Sequence, residues 1–199
     1  MLLRCKSAGF NFWPFLVECR IVAPQSKVFH FKQVDSTNSA AFRHAEKGAE
    51  AGSVFVADYQ TKGRGQWGRD WVSPKGKNLL FSILLRPNLK GSEAPMLTQI
   101  SCRSVAGVLK EKLKLKTSFK RPNDILVQGK KICGILVEAK GFNNGHIESA
   151  VVGIGLNVNA SPDELVPGAT SILAETGQKC SRKELLESLL EQLRKDLKA

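Results

Sequence analysis

Short runs of apolar, β-branched and aromatic residues recur along this chain of 199 residues, and clusters of Gly, Pro, Asn and Asp separate them. Runs of this composition between such clusters are typical of buried β-strands. The sequence predicts seven strands, at residues 27–34, 53–59, 79–86, 118–120, 125–127, 131–139 and 147–158. Tight-turn sequences at residues 128–129 and 143–145 would join consecutive strands as hairpins.

Three segments carry apolar residues at helical spacing instead. Residues 35–47 open with four polar side chains suited to capping a helix, and they end before Gly48. Residues 93–115 form the predicted central helix, and residues 181–197 carry a leucine stripe that belongs in a core. Hairpins between neighbouring strands, backed by these helices, indicate an α+β fold with a mixed, mainly antiparallel sheet.

The length allows one domain with a substantial core, which we place at residues 28–199 after an N-terminal extension at residues 1–27. A hydrophobic fraction of 42% and a charged fraction of 24% are those of a soluble globular protein. The five cysteines are scattered and form no C-x-x-C pair, which favours reduced thiols and a cytoplasmic location. We expect no membrane span, because no apolar run is long enough, and the three histidines lack metal-ligand spacing.

The formal net charge of +12 indicates either a merely basic surface or an anionic partner. That partner could be a nucleotide, a nucleic acid or an acidic protein. Basic residues concentrate at residues 62–77 and 110–131. Dedicated nucleic-acid modules usually add a recognition helix, an aromatic sheet motif or zinc ligands. The sequence shows none of these, so DNA is not an expected partner.

The loop at residues 58–74 concentrates the candidate chemistry, because it interleaves glycines, basic residues and two tryptophans. Glycine lets a ligand approach main-chain N–H groups, and arginine presents planar forks to carboxylate and phosphate. The loop therefore predicts a cover over an anionic, partly flat ligand. Its G-x-G-x-x-G spacing is not a dinucleotide fingerprint, because no helix opens after it. The next acidic residue after Asp70 is Glu93, and a predicted strand lies between the two.

Two further segments place polar residues at strand ends or inside strands. Residues 120–124, followed at hairpin distance by Lys131, are either ordinary turn chemistry or groups that face a ligand. Residues 153–159 place two glycines in an apolar strand, which marks either tight packing or the close approach of a ligand. Gly134 raises the same alternatives, and the amide of Asn157 must find partners inside so apolar a segment.

In order and spacing, these segments resemble the catalytic domain of biotin–protein ligases. The similarity covers about residues 28–197 and rests on five motifs, at residues 35–38, 60–74, 120–124, 134–138 and 153–157. It implies an α+β fold related to the class II aminoacyl-tRNA synthetases. It also implies an activity, in which biotin and MgATP form biotinyl-5′-AMP and biotin is then transferred to one lysine of a biotin carboxyl carrier protein.

The resemblance implies a role for each matched residue. Lys131 and Arg64 would be catalytic, with Lys131 bridging the biotin carboxylate and the α-phosphate. The residues that would bind biotin are Ser36, Thr37, Asn38, Gln60, Gly63, Arg64, Gly65, Gln66, Lys131 and Gly134. The residues that would bind ATP or the adenylate are Arg69, Trp71, Asn123 and Asn157. Asp124 would hold Mg²⁺.

The chain departs from the family pattern at two positions. Gln66 stands where the family commonly has a second arginine in its G-R-G-R loop, and Arg121 replaces the usual tryptophan of K-W-P-N-D. An arginine fork beside an acyl-phosphate would help to retain the adenylate. Our hypothesis is that the protein releases biotinyl-AMP more readily than relatives with that arginine.

No helix-turn-helix region is expected before residue 28, so we do not expect a DNA-binding repressor role. No small β-barrel, which many family members carry, is expected after the last helix. A second subunit of a homodimer would be one source of the contacts that such a barrel makes to ATP or to the carrier. Two rival functions remain. A lipoate–protein ligase would share the fold and the reaction type, and a catalytically inactive binding module would keep only the fold and the basic surface.

Overall fold

The computed structural model describes residues 27–197, so the predicted extension at residues 1–27 lies, except for Lys27, outside the described residues. The strands of the described chain are β1 (Val28–Phe31), β2 (Val54–Ala57), β3 (Leu79–Leu85), β4 (Thr117–Lys120), β5 (Asp124–Val127), β6 (Lys130–Asn143) and β7 (His146–Leu156). The helices of the described chain are α1 (Thr37–Ala45), α2 (Pro95–Leu113), α3 (Ile172–Thr176) and α4 (Arg182–Leu197).

The strands form one sheet in the order β1-β2-β3-β7-β6-β5-β4. β1 runs parallel to β2, and the other neighbouring pairs are antiparallel. Both predicted hairpin turns are present. Gln128 and Gly129 join β5 to β6, Asn144 and Gly145 join β6 to β7, and all four residues have positive φ, as type I′ turns require. The predicted α+β class and mainly antiparallel sheet are confirmed.

The two faces of the sheet carry different layers. α2 and α4 pack together over one face, where alternate β3 residues such as Phe81 and Ile83 enter the main hydrophobic core. α1 covers part of the other face, against Phe55, Leu84 and Val151. Successive strand residues point to opposite faces, so the α1 face is free to carry polar residues and glycines without interrupting the main core.

α1 begins without the side-chain cap that the sequence predicts. Ser36 is the N-cap residue, but its side chain makes no capping hydrogen bond. The Thr37 N–H donates instead to Oε1 of Gln60, 2.7 Å away in the loop after β2. The Asp35 carboxylate accepts a hydrogen bond from the Arg43 guanidinium, with 2.8 Å between Oδ1 and Nη2, and that hydrogen bond lowers the pKa of Asp35 to about 2. The cap therefore comes from a residue that is distant in sequence.

The stretch after β7 contains a helix that the apolar periodicity does not reveal. α3 has five residues, and the Ser171 hydroxyl accepts a capping hydrogen bond from the Ala174 N–H at 3.0 Å. α4 follows and packs its leucines into the main core, as predicted. Within residues 27–197, no helix combines the length and hydropathy that crossing a bilayer requires.

Candidate functional site

A cavity of about 370 Å³ opens on the α1 face of the sheet. Its floor is bare backbone, because Gly134 of β6 lies opposite Gly155 of β7, with Gly153 two residues away. The residues that alternate with these glycines, Ile135 and Ile154, belong to the main core. The start of α1, the loop after β2, the β4–β5 turn and the start of β6 supply the walls.

The indole of Trp71 lies directly on this glycine floor. A Cβ atom at Gly155 would stand 2.5 Å from Trp71 Cε2, and one at Gly134 would stand 2.9 Å from Cζ3. A side chain at either position would therefore displace the indole. Trp71 Nε1 is buried and has no hydrogen-bond partner among the described residues. Since buried donors are nearly always paired, this N–H is a candidate donor to a ligand.

Lys131 reaches the cavity because β6 carries a bulge. Between two consecutive pairs of the β5–β6 register, Ile132 of β6 has no partner of its own. In a regular strand, residues three apart such as Lys131 and Gly134 point to opposite faces, whereas one extra residue brings them to the same face. Lys131 Nζ accordingly lies 3.2 Å from the position that a Cβ at Gly134 would occupy.

The ammonium group of Lys131 is held from several sides. It lies 2.7 Å from Oδ1 of Asp124 and 5.3 Å from the ring centroid of Trp71. The Lys131 N–H donates to the Gly168 carbonyl, and the Lys131 carbonyl accepts from the Thr170 N–H, both at 2.8 Å. The main chain and the carboxylate together fix a cation at the cavity wall.

A hydrogen-bonded network lines the end of the cavity at the start of α1. The Thr37 N–H and hydroxyl both lie within donating distance of Gln60 Oε1, at 2.7 and 3.0 Å. The Ser82 hydroxyl, on β3, donates to Asn38 Oδ1 and lies 2.7 Å from Thr37 Oγ1. The Asn38 amide donates to Glu138 Oε2 at 2.7 Å. These polar groups are therefore oriented before any ligand arrives.

Arg64 is engaged with protein groups rather than pointing free into the cavity. Its guanidinium donates to Ser39 Oγ at 2.8 Å and to Glu138 Oε2 at 3.0 Å. These bonds tie the loop after β2 to α1 and to β6. The geometry therefore differs from that of an uncommitted catalytic cation and suits a residue that positions the loop.

The same loop is a small hairpin with a 3₁₀ turn, Gln66–Gly68, at its tip. The Gly65 N–H donates to the Arg69 carbonyl at 2.7 Å, and the Trp71 N–H donates to the Gly63 carbonyl at 3.0 Å. A Cβ at Gly63 would stand 2.5 Å from the Trp71 carbonyl oxygen, so glycine is needed there to close the loop. Gly63 is absent from the cavity lining, whereas Gly65, Gln66 and Arg69 are part of it.

Two predicted nucleotide contacts, Asn123 and Asn157, are buried and bonded inside the protein. The Asn123 amide donates to the Ile135 carbonyl at 2.7 Å, yet the residue still borders the cavity. The Asn157 amide accepts from Asn78 at 2.9 Å and donates to the Thr170 carbonyl at 3.0 Å. The structure places Asn157 outside the cavity lining, because both ends of its amide are bound elsewhere.

The cavity has few groups for a metal ion. Within residues 27–197, no cluster of three or more His, Cys, Asp or Glu could hold one. Asp70 and Asp124 are the carboxylates in the lining. Mg²⁺ commonly takes one or two protein carboxylates and completes its shell with phosphates and water. Asp124 therefore fits Mg²⁺ that arrives with a nucleotide, but not a resident metal centre.

Ser82 and Glu138 belong to the site network but were not among the predicted site residues. Ser82 is the one polar residue in the buried run LLFSILL, and that isolation was a usable signal. Glu138 lies in a long strand that turns polar toward its end, so its sequence context does not distinguish it from a solvated residue.

Comparison with known proteins matches residues 30–157 to the model of the biotin/lipoate A/B protein ligase family. The bifunctional ligase/repressor BirA of Bacillus subtilis is 36% identical over 173 residues, which are 85% of this chain and 53% of that protein. The chain thus spans about half the length of this curated relative.

Two solved structures share the fold. The biotin protein ligase of Aquifex aeolicus in complex with biotin and ATP has a TM-score of 0.71 and 36% identity, over 86% of this chain and 70% of the other. The biotin protein ligase of Leishmania major in complex with biotinyl-5-AMP has a TM-score of 0.65 and 30% identity, over 86% and 74%. The chain belongs to the biotin/lipoate A/B protein ligase family.

Proposed function

We propose that the protein is a biotin–protein ligase. In the first half-reaction, the biotin carboxylate attacks the α-phosphate of ATP, pyrophosphate leaves, and biotinyl-5′-AMP forms. In the second, the amine of a carrier lysine attacks the acyl carbon, AMP leaves, and an amide forms. The acceptor is a biotin carboxyl carrier protein or domain. The family assignment and the relatives that bind biotin, ATP or biotinyl-5-AMP support this reaction.

The observation that carries the proposal is the position of Lys131 over the glycine floor. The reaction brings a carboxylate and a phosphate together, so the site must neutralise two anions at one point. Lys131 Nζ stands beside Gly134 at the cavity wall, next to the Trp71 indole that lies on the floor, and it supplies the positive charge that both anions need. Asp124 Oδ1 lies 2.7 Å from this ammonium and holds it in place.

The network at the start of α1 suits the ureido ring of biotin. A ureido group has two N–H donors and one carbonyl acceptor, and Ser36, Thr37, Asn38 and Gln60 supply hydroxyl and amide partners of both kinds. Gly65, Gln66 and Gly134 would surround the rest of biotin. Arg64 and Gly63 would act by holding the loop closed over it.

The nucleotide would lie toward Arg69, Trp71 and Asn123. Arg69 offers a planar fork to phosphate, and the Trp71 indole offers a flat surface for adenine. Mg²⁺, when bound, neutralises phosphate charge, and Asp124 is the residue that would hold it. Asn157 would act indirectly, by anchoring the strand end next to Gly155.

Biotin-dependent exchange of pyrophosphate into ATP tests the first half-reaction. We expect Lys131→Ala to slow exchange by about 10²–10³-fold, because an electrostatic contact to the developing charge is lost. Lys130→Ala is the matched control, since Lys130 is exposed and absent from the lining. Exchange with lipoate in place of biotin would favour the rival ligase. Absence of exchange, or full activity of Lys131→Ala, would contradict the proposal.

A further inference from the structure

Trp67 has an unusual position for a tryptophan. Its side chain is 83% exposed. Its backbone is left-handed, with φ 61° and ψ 33°, inside the 3₁₀ turn at the tip of the loop after β2. Bulky residues rarely adopt that conformation, and strained positions tend to cluster at functional sites. Trp67 belongs to neither core cluster of the described residues, so packing does not account for it.

The tip of this loop stands at the mouth of the cavity. Trp67 lies between Gln66 and Gly68 in this turn. The same hairpin continues to Trp71, which lies on the glycine floor. Trp67 itself borders the cavity. Its exposed indole therefore faces solvent at the opening through which a second substrate must enter.

The rest of the mouth is basic. Arg69, Lys120 and Arg121 border the cavity, and all three are exposed. None of them forms an ion pair within residues 27–197. Asp70 is the exposed carboxylate in this lining. A surface with unpaired cations around an exposed indole is complementary to an acidic protein surface that has an apolar spot.

We propose that Trp67 and the surrounding basic rim form the docking surface for the acceptor protein, and that this acceptor presents an acidic face around its target lysine. The inference rests on the proposed function. The acceptor lysine must reach an acyl-phosphate inside the cavity, so the domain that carries it has to sit on the rim. A tryptophan at the centre of such a contact is a typical binding hot spot.

The two half-reactions separate this role from nucleotide binding. The probe is a purified biotin carboxyl carrier domain with a net negative charge. We expect Trp67→Ala to lower kcat/KM for biotin transfer to this domain by about 30-fold, through KM, while biotin-dependent pyrophosphate exchange stays within about twofold. Trp67→Asn, whose side chain tolerates a left-handed backbone, should behave in the same way if the loop geometry is unchanged.

Phe142→Ala is the matched control, because Phe142 is an aromatic residue of 61% exposure in β6, eight residues beyond Gly134. It should change neither readout. For the charge component, Lys120→Glu should lower kcat/KM for transfer and weaken its dependence on salt. Lys183→Glu, an exposed residue on α4 across the sheet from the cavity, makes the same charge change and should have no such effect.

Three results would overturn the inference. Unaltered transfer in both Trp67 variants would exclude a docking role. Equal losses in exchange and transfer would assign Trp67 to the nucleotide instead. Absence of exchange in the wild-type protein would reject the proposed function itself, and is distinguishable because it appears before any acceptor is added.

Discussion

At Gly155 the absence of a single methyl group decides whether an indole can lie on the sheet. We predict that Gly155→Ala weakens binding of biotin and ATP by at least about tenfold, because its Cβ would stand 2.5 Å from Trp71 Cε2 and would displace that ring. Titration calorimetry with both ligands measures the loss, and tryptophan fluorescence reports the displaced indole.

Gly107→Ala is the control for that substitution. Gly107 lies in α2, and a Cβ there meets no atom within 4 Å. Alanine should raise the free energy of unfolding by about 1 kcal/mol, since glycine is the weaker helix former, and should leave ligand binding unchanged. Binding by Gly155→Ala at the wild-type level would show that the indole need not rest on the floor.

The identity of Gln66 bears on how tightly the site would hold biotinyl-AMP. Its Oε1 is buried without a hydrogen-bond partner in the described part of the chain, and it borders the cavity. We predict that Gln66→Arg slows dissociation of biotinyl-AMP by about 10–100-fold, because hydrogen bonds to charged groups contribute about 1.5–3 kcal/mol. Stopped-flow release of the adenylate measures the rate. Gln66→Met, similar in length but uncharged, is the control, and equal release rates for all three proteins would contradict the hypothesis.

At the scale of elements, the entry into α1 shows how a pair of side chains responds to pH. The hydrogen bond from Arg43 lowers the pKa of Asp35 from 3.8 to about 2. A lowered carboxylate pKa means that the pair stabilises the fold above about pH 3.8 and loses that effect as the pH falls toward 2. Both side chains are more than one-third exposed, so the contribution is only about 0.5 kcal/mol.

We therefore predict that the Asp35 carboxyl titrates near pH 2 in an NMR titration of the native protein. In Arg43→Leu, which keeps a good helix former, the pKa should return toward its ordinary value. Glu164, whose pKa is lowered by hydrogen bonds from Ser161, provides an internal comparison that the substitution should leave in place. An unchanged Asp35 titration in the variant would contradict the role of Arg43.

The strands, hairpins and main helices could be predicted because each has a local signal, such as the two-residue turn at Gln128 and Gly129. The bulge at Ile132 could not, because the residues from Ile132 to Val137 are apolar or glycine throughout, so no alternation is present whose break would mark it. The cap of α1 was missed for a different reason. Its partner, Gln60, is 23 residues away from Thr37, and only the assembled sheet brings the two together.

At the scale of the whole molecule, two cysteines report on the integrity of the core. Cys102 of α2 and Cys133 of β6 both lie in the main hydrophobic core. Burial raises the pKa of Cys102 to about 11 and that of Cys133 well above its ordinary value. Because the thiolate is the reactive form, neither thiol should react quickly near neutral pH while the fold is intact.

We predict that iodoacetamide at pH 8 labels Cys180, which is partly exposed, well before Cys102 or Cys133. Peptide mass spectrometry after a time course measures each site. Labelling in urea is the control and should remove the difference between the three. Rapid native labelling of Cys133 would mean that β6 separates from the core far more often than its burial implies.

The cavity lining draws on α1, the loop after β2, the β4–β5 turn, β6 and β7, and Ser82 of β3 joins its network, so most of these residues become neighbours only in the folded sheet. The family motifs identified most of the lining. They did not reveal that Arg64 would be committed to Glu138 or that Asn157 would point away. Those outcomes depend on which partners the tertiary structure brings within reach of each side chain.

The bulge in β6 can be described as a change of parity. Before Ile132, the odd-numbered Lys131 faces the cavity, and after it the even-numbered Gly134 does. An insertion or deletion of one residue between Lys131 and Gly134 would turn either Lys131 or Gly134 away from the cavity and toward the main hydrophobic core. Natural variation in length should therefore be tolerated at the surface turns of this chain, but not in these two intervening residues.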